Sequence, residues 1–225
     1  MSSTEIGRIA GIPIFLDMFF VLVLILFSYP YFTMGTSQAM SAGFVIIVGI
    51  LLSVLLHELG HAFAGRPFNA HVSHIELTGL GGIAHFERSL PRSVLARSII
   101  YLAGPAVNLG LWYGFDALGQ QAAAAGSPYL AFPLIRLSEF NFLLMVFNLL
   151  PAYPLDGGWT LDAWLHRLLG PLWSTRIVAS LGLLVAAGLV VLLALPSRDL
   201  FLGFVAIFLA MANWQQLQSV GGWGR

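Results

Sequence analysis

The chain contains no cysteine, so disulfides and thiolate metal sites are both excluded. Lysine is missing too, and all ten basic residues are arginine. Charge of either sign is scarce: 9% of the 225 residues are charged, where a soluble domain carries about 25%. The net charge is zero, which argues against a nucleic-acid partner. No amino-terminal segment joins a basic stretch, a short apolar core and a small-residue cleavage site, so the first apolar run is expected to stay in the mature chain. There is no internal repeat, and the only biased tract is the short alanine run 122–125.

What the chain has in abundance is apolar surface: 58% of residues are hydrophobic, and the mean hydropathy is +0.87. That composition belongs in a lipid bilayer. A helical span needs about 20 mostly apolar residues, and six candidates follow, at 14–34, 42–64, 98–118, 130–150, 177–195 and 200–214. Gly158 to Leu169 is expected to form an interfacial helix, because Asp162, His166 and Arg167 interrupt it. With the amino terminus in the cytoplasm, Arg8, Arg66, Arg88, Arg92, Arg97, Arg167, Arg176 and Arg225 fall inside, leaving Arg136 and Arg198 outside. That bias satisfies the positive-inside rule and places both termini in the cytoplasm, in a membrane expected to be a prokaryotic inner membrane. Between the second and third spans, Phe68 to Phe86 carries Thr78 and the pair Gly81-Gly82 and reads as strand–turn–strand. The expected fold is an all-α polytopic membrane protein with a short membrane-associated β-hairpin, built as one domain over 1–225.

Ionisable residues inside a span are costly and point to function. The second span carries His57-Glu58-Leu59-Gly60-His61. Spacing of four puts both imidazoles on one helical face, one turn apart, where they can share a tetrahedral zinc ion. Glu58 falls beside the metal, placed to take a proton from water. The plain alternative is a pair of satisfied core histidines with a neutral glutamate, which the desolvation cost disfavours. A catalytic zinc site usually has three protein ligands and one open position. The best third candidate is Asp156, in Asn148-Leu149-Leu150-Pro151-Ala152-Tyr153-Pro154-Leu155-Asp156-Gly157-Gly158, where prolines and glycines prevent a regular helix. A turn with a solvated aspartate is the alternative there.

These residues resemble the site-2 protease family of intramembrane zinc metalloproteases. The resemblance rests on His57-Glu58-Leu59-Gly60-His61 and on Asn148-x-x-Pro151-x-x-x-Leu155-Asp156-Gly157. It extends to Gly11-Ile12-Pro13-Ile14, Leu80-Gly81-Gly82-Ile83-Ala84 and Ala103-Gly104-Pro105-Ala106-Val107-Asn108. It implies one zinc per chain held by His57, His61 and Asp156, with Glu58 as general base. It also implies that Asn148 contacts the substrate backbone or the oxyanion, a role an amide NH₂ can fill. The implied reaction is hydrolysis of a peptide bond in or near the transmembrane segment of another membrane protein. Trp159 departs from the pattern, since relatives often carry arginine there, and no PDZ or CBS domain is expected in this length.

Other polar residues have two readings. Asn108 either lines the site or makes an interhelical hydrogen bond, and packing is favoured. His85 ends the hairpin near the depth of the site and is favoured as structural, with substrate contact as the alternative; it is also the next candidate for a third ligand after Asp156. His71, His74 and His166 read as interfacial. Arg136 and Glu139, three apart on the fourth span, read as an exposed ion pair. The hairpin is expected to hold an unwound substrate as an added strand, with Ile75 and Leu77 as edge positions. A metal transporter using the same ligands is the rival reading, but a transporter needs no general base and usually relays ligands across the bilayer. The partners expected are the bilayer and a transmembrane substrate, with oligomeric state unspecified.

Overall fold

The computed structural model describes residues 3–79, 81–197 and 199–220. Leu80, Arg198 and Arg225, which entered the motif and arginine readings, lie outside the described residues. The chain divides into two compact units. One holds the chain up to Leu90 together with Ala103–Met145, and the other holds Pro91–Leu102 and the chain from Val146.

In the first unit, β1 (Thr4–Ile9) and β2 (Ile12–Leu16) form an antiparallel hairpin. Its two-residue turn places Ala10 at φ 48 and Gly11 at φ 84, the paired positive dihedrals that suit the twist of a tight hairpin. Helices α1 (Met18–Thr33) and α2 (Ser37–Gly65) follow, then β3 (Val72–Thr78) and β4 (Gly81–Phe86). β2 and β3 run parallel, with Ile14 opposite Ile75 and Leu16 opposite Leu77. The α1–α2 pair is the long crossover that a parallel pair requires. Strand order is β1-β2-β3-β4, so β3 is interior and β4 lies at an edge.

Two expectations change here. The hairpin exists, but as half of a four-stranded sheet. The first apolar run begins as strand and turns helical only at Met18. Ile12 and Ile14 are apolar because they cover a protein core with Ile75, Leu77, Ile46, Ile50 and Val54, not because they face lipid. Asp17 marks the boundary: its carboxylate caps α1 by accepting from the Phe19 N–H at 3.1 Å, and its own N–H donates to the Leu77 carbonyl at 2.9 Å. α1 has 16 residues, about 24 Å at 1.5 Å per residue.

The remaining helices are α3 (Val94–Ala124), α4 (Pro128–Asn148), α5 (Asp156–Gly188), a three-residue α6 (Leu195–Ser197) and α7 (Leu200–Val220). A π-helical segment, Leu189–Ala194, continues α5. Within α5, Gly170 has φ 78 and breaks the helix before Pro171. The expected interfacial helix and the span after it are therefore the two halves of one kinked element. Among the described residues, five helices are long and apolar enough to cross a membrane: Ser37–Phe68, Val94–Ala124, Pro128–Asn148, Asp156–Leu192 and Leu200–Val220, with Met18–Thr33 shorter.

Candidate metal centre

His57, Glu58 and His61 sit in the last turns of α2 and are 4%, 5% and 6% exposed. The two imidazoles lie with ring centroids 4.8 Å apart and planes at 83°. Two glycines let α3 come close to them. A Cβ on Gly60 would lie 3.0 Å from the Ala103 carbonyl oxygen. A Cβ on Gly104 would lie 2.4 Å from His61 Nε2 and 2.6 Å from His57 Nε2. Both Nε2 atoms therefore converge on one small volume that exists because residue 104 has no side chain.

The tautomer of His57 is set from behind. Its Nδ1 hydrogen-bonds Asn108 Oδ1, and the Asn108 amide donates to Asn141 Oδ1 at 2.8 Å. Asn141 in turn donates to Ser53 Oγ at 2.9 Å and to the Leu137 carbonyl at 2.8 Å. Ser53 donates to the Gly49 carbonyl at 2.7 Å. With its NH₂ spent on Asn141, Asn108 presents an acceptor to His57, so Nδ1 carries the proton and Nε2 keeps the lone pair. Support of this kind holds a ligating histidine in the right tautomer and orientation. Ser53, Asn108 and Asn141 are all 0% exposed. Asn108 thus makes the interhelical hydrogen bonds favoured from sequence, and one of them ends on His57. Asn141 and Ser53 were not legible as site residues. The available signal was an asparagine and a serine within apolar spans, a pattern that ordinary helix packing also produces.

Glu58 is placed by the hairpin. A Cβ on Gly82 would lie 2.2 Å from Glu58 Cγ and 2.6 Å from Oε1, so the second glycine of Gly81-Gly82 is where β4 backbone closes over the carboxylate. Side chains alternate along the ladder, which sets the other hairpin residues. Ile75 and Leu77 are 0% exposed, face the core and sit on the interior strand. Neither is an edge position: β2 and β4 already take both sides of β3. The edge role expected of them passes to β4. His85, opposite His74 in the register, is on the face away from Gly82.

In the second unit, the loop from Leu149 to Leu155 delivers Asp156 as the first residue of α5. The glycines after it are required by close backbone approach. A Cβ on Gly157 would lie 2.2 Å from the Leu149 carbonyl oxygen, and one on Gly158 would lie 2.3 Å from that of Ala152. Asn213 of α7 clamps the loop, accepting from the Tyr153 N–H at 3.0 Å and donating to its carbonyl at 2.7 Å. Burial, reinforced by the neighbouring Asp162, pushes the Tyr153 phenol well above its ordinary range. Trp159 packs edge-on against Tyr153 at 4.7 Å and stacks on Tyr101 at 6.3 Å, an aromatic cluster that an arginine would not reproduce. Asn148 closes α4 and is half-buried. Arg136 and Glu139 form the expected exposed ion pair at 2.6 Å.

The elements define a class: a polytopic, mostly helical protein with a small sheet and a helix whose His-Glu-x-x-His side chains are buried. The profile of Peptidase family M50 matches residues 45–123. Zinc metalloprotease MJ0392 of Methanocaldococcus jannaschii is 33% identical over 221 residues, covering 97% of this chain and 61% of that protein. Putative zinc metalloprotease Rip3 of Mycobacterium tuberculosis is 32% identical over 222 residues, covering 93% and 55%. The solved site-2 protease from Methanocaldococcus jannaschii superposes with a TM-score of 0.68 at 28% identity, over 96% of this chain and 95% of that one. The chain belongs to peptidase family M50, the site-2 proteases, and is an integral membrane protein. It spans 55–61% of the length of these two curated relatives.

The donor set of the first unit fits zinc. Two imidazoles bring their Nε2 atoms to one point, the His57 ring is oriented by an amide behind it, and the Glu58 carboxylate belongs to the next residue along the helix.

Proposed function

We propose that this chain is the catalytic unit of an intramembrane zinc endopeptidase, which hydrolyses a peptide bond within or near the transmembrane segment of another membrane protein. The observation that carries this reading is the convergence of His57 Nε2 and His61 Nε2 on the space facing Gly104, with Glu58 between them in sequence. His57, His61 and Asp156 would hold one zinc ion. When bound, the ion supplies Lewis acidity, polarising a carbonyl and acidifying water.

The residues of the chain do the rest. Glu58 takes a proton from the attacking water, and that water's oxygen bonds to the scissile carbonyl carbon. As the C–N bond breaks, Glu58 returns the proton to the leaving amine. The Asn148 amide donates to the oxygen on which negative charge develops. Asn108 keeps His57 in its ligating tautomer. A helix hides its carbonyls in hydrogen bonds, so the substrate must unwind. An unwound segment can pair with the free edge of β4 by strand addition, held by main-chain hydrogen bonds more than by its side chains. The arginine bias supports cytoplasmic termini in a prokaryotic inner membrane.

Glu58→Gln tests the chemistry. Reconstituted with a model transmembrane substrate, it should lose at least about 10²-fold in turnover while zinc content and fold are unchanged. Near-normal turnover would sink the role of Glu58. Undiminished zinc in His57→Ala and His61→Ala would sink the metal site.

A further inference from the structure

A second donor cluster lies on the sheet, on the face away from Glu58. His74 and His85 are cross-strand partners in the β3–β4 register. Their rings stack with centroids 4.3 Å apart and planes at 11°. Glu76, two residues along β3 from His74 and so on the same face, brings Oε2 to 3.5 Å from His85 Nε2. One donor atom from each of the three residues lies within 4.8 Å of the others. The geometry points to a second site, distinct from the centre on α2, that binds one divalent transition metal through His74, Glu76 and His85.

Three observations support it. His85 Nε2 is shielded from solvent and has no hydrogen-bond partner among the described residues, and a buried imidazole nitrogen left so calls for a ligand. His74 is tautomer-set for ligation. Ser73 Oγ donates its single proton to the His85 carbonyl at 3.0 Å. It must therefore accept from His74 Nδ1–H at 2.9 Å, leaving the His74 lone pair on Nε2. The spacing is also near what a metal needs. Tetrahedral zinc with bonds of 2.0–2.2 Å holds its donors about 3.3 Å apart. The His85–Glu76 pair at 3.5 Å is almost there. The widest pair, at no more than 4.8 Å, closes with a shift of roughly 1.5 Å, and one imidazole turns out of the stack so that both in-plane lone pairs meet at the ion.

Two imidazoles and one carboxylate select zinc, nickel or copper over calcium or magnesium. The side chains of Glu76 and His85 are 27% and 39% exposed, so an ion can enter and keep water on its open positions. Bound there, it ties β3 to β4. The other face of that ladder holds Gly82 against Glu58, so the site is placed to stiffen the hairpin that backs the proposed general base.

The test is zinc stoichiometry on the full chain in detergent, without a polyhistidine tag, by chelator competition and elemental analysis after desalting. Wild type should take up two equivalents. His85→Gln and His74→Gln should each lose one, keep the other, and lose the part of zinc-dependent thermal stabilisation that belongs to the second equivalent. A single equivalent in wild type overturns the proposal, as does retention of two in both glutamine variants. The His57→Ala variant separates this site from the proposed catalytic one. If it drops from two equivalents to one while the sheet variants drop by the other, both readings hold. If it keeps two, the catalytic reading fails and the sheet site stands.

Discussion

Gly104→Ala adds one methyl group at the point where the two imidazoles converge. Its Cβ would stand 2.4 Å from His61 Nε2 and 2.6 Å from His57 Nε2, where ordinary contact begins at 3.4 Å. The overlap is about 1 Å, and the methyl falls almost where an ion bonded at 2.0–2.1 Å would sit. His57 cannot swing aside without leaving Asn108, and metal–nitrogen bond lengths hold to within about 0.2 Å. Zinc affinity should therefore fall by at least about 10²-fold, or roughly 2.8 kcal/mol. The backbone effect on folding is favourable, because alanine is preferred over glycine in the α3 helix by about 1 kcal/mol. That gain acts on the fold with or without metal and leaves the lost affinity untouched, so metal binding should collapse while the zinc-free protein keeps its fold. Gly110→Ala is the control on the same helix, since a Cβ there meets nothing within 4 Å. Chelator competition reads the affinity, and thermal unfolding of the zinc-free protein reads the fold. Wild-type zinc affinity in folded Gly104→Ala would refute the convergence of the two Nε2 atoms as the metal's place.

Three further substitutions separate the parts of the structure. Asn141→Leu keeps the branched heavy-atom skeleton but strips the Asn108 amide of its acceptor; zinc affinity should fall about 10- to 100-fold, and unchanged affinity would mean that the network behind His57 is packing alone. Gly82→Ala should push the Glu58 carboxylate out of place, lowering kcat at least about tenfold with zinc retained; wild-type turnover would show that Glu58 tolerates the displacement. Asn213→Leu leaves the Tyr153 N–H and carbonyl unsatisfied, at about 1–3 kcal/mol for each buried group, and should lower the thermal unfolding midpoint in detergent; an unchanged midpoint would refute the clamp.

The sequence by itself determined the membrane class, because composition and the length of apolar runs reflect solvent, and lipid leaves few alternatives. It also determined the local geometry of His57, Glu58 and His61, since helix periodicity puts residues four apart on one face wherever the helix lies. The β3–β4 hairpin was legible from Gly81-Gly82. The β1–β2 hairpin was not: Ile12 and Ile14 look alike whether they face lipid or a protein core, and only pairing of β2 with β3 across the α1–α2 crossover tells the two apart. For the same reason Ile75 and Leu77 were read as edge positions. Alternation reveals a strand but not its neighbours, and interior or edge status is a property of the whole sheet. Asn141, Ser53 and Asn213 were invisible as contributors because a buried amide matters through its partner. Those partners stand 33, 88 and 60 residues away, where no local pattern reaches. Gly104 and Gly82 stood in the sequence only as members of short motifs, Gly82 also as part of a turn. Tertiary structure made them the two places where a missing side chain leaves room for chemistry, because free volume is set by what packs opposite and not by the residue that leaves it.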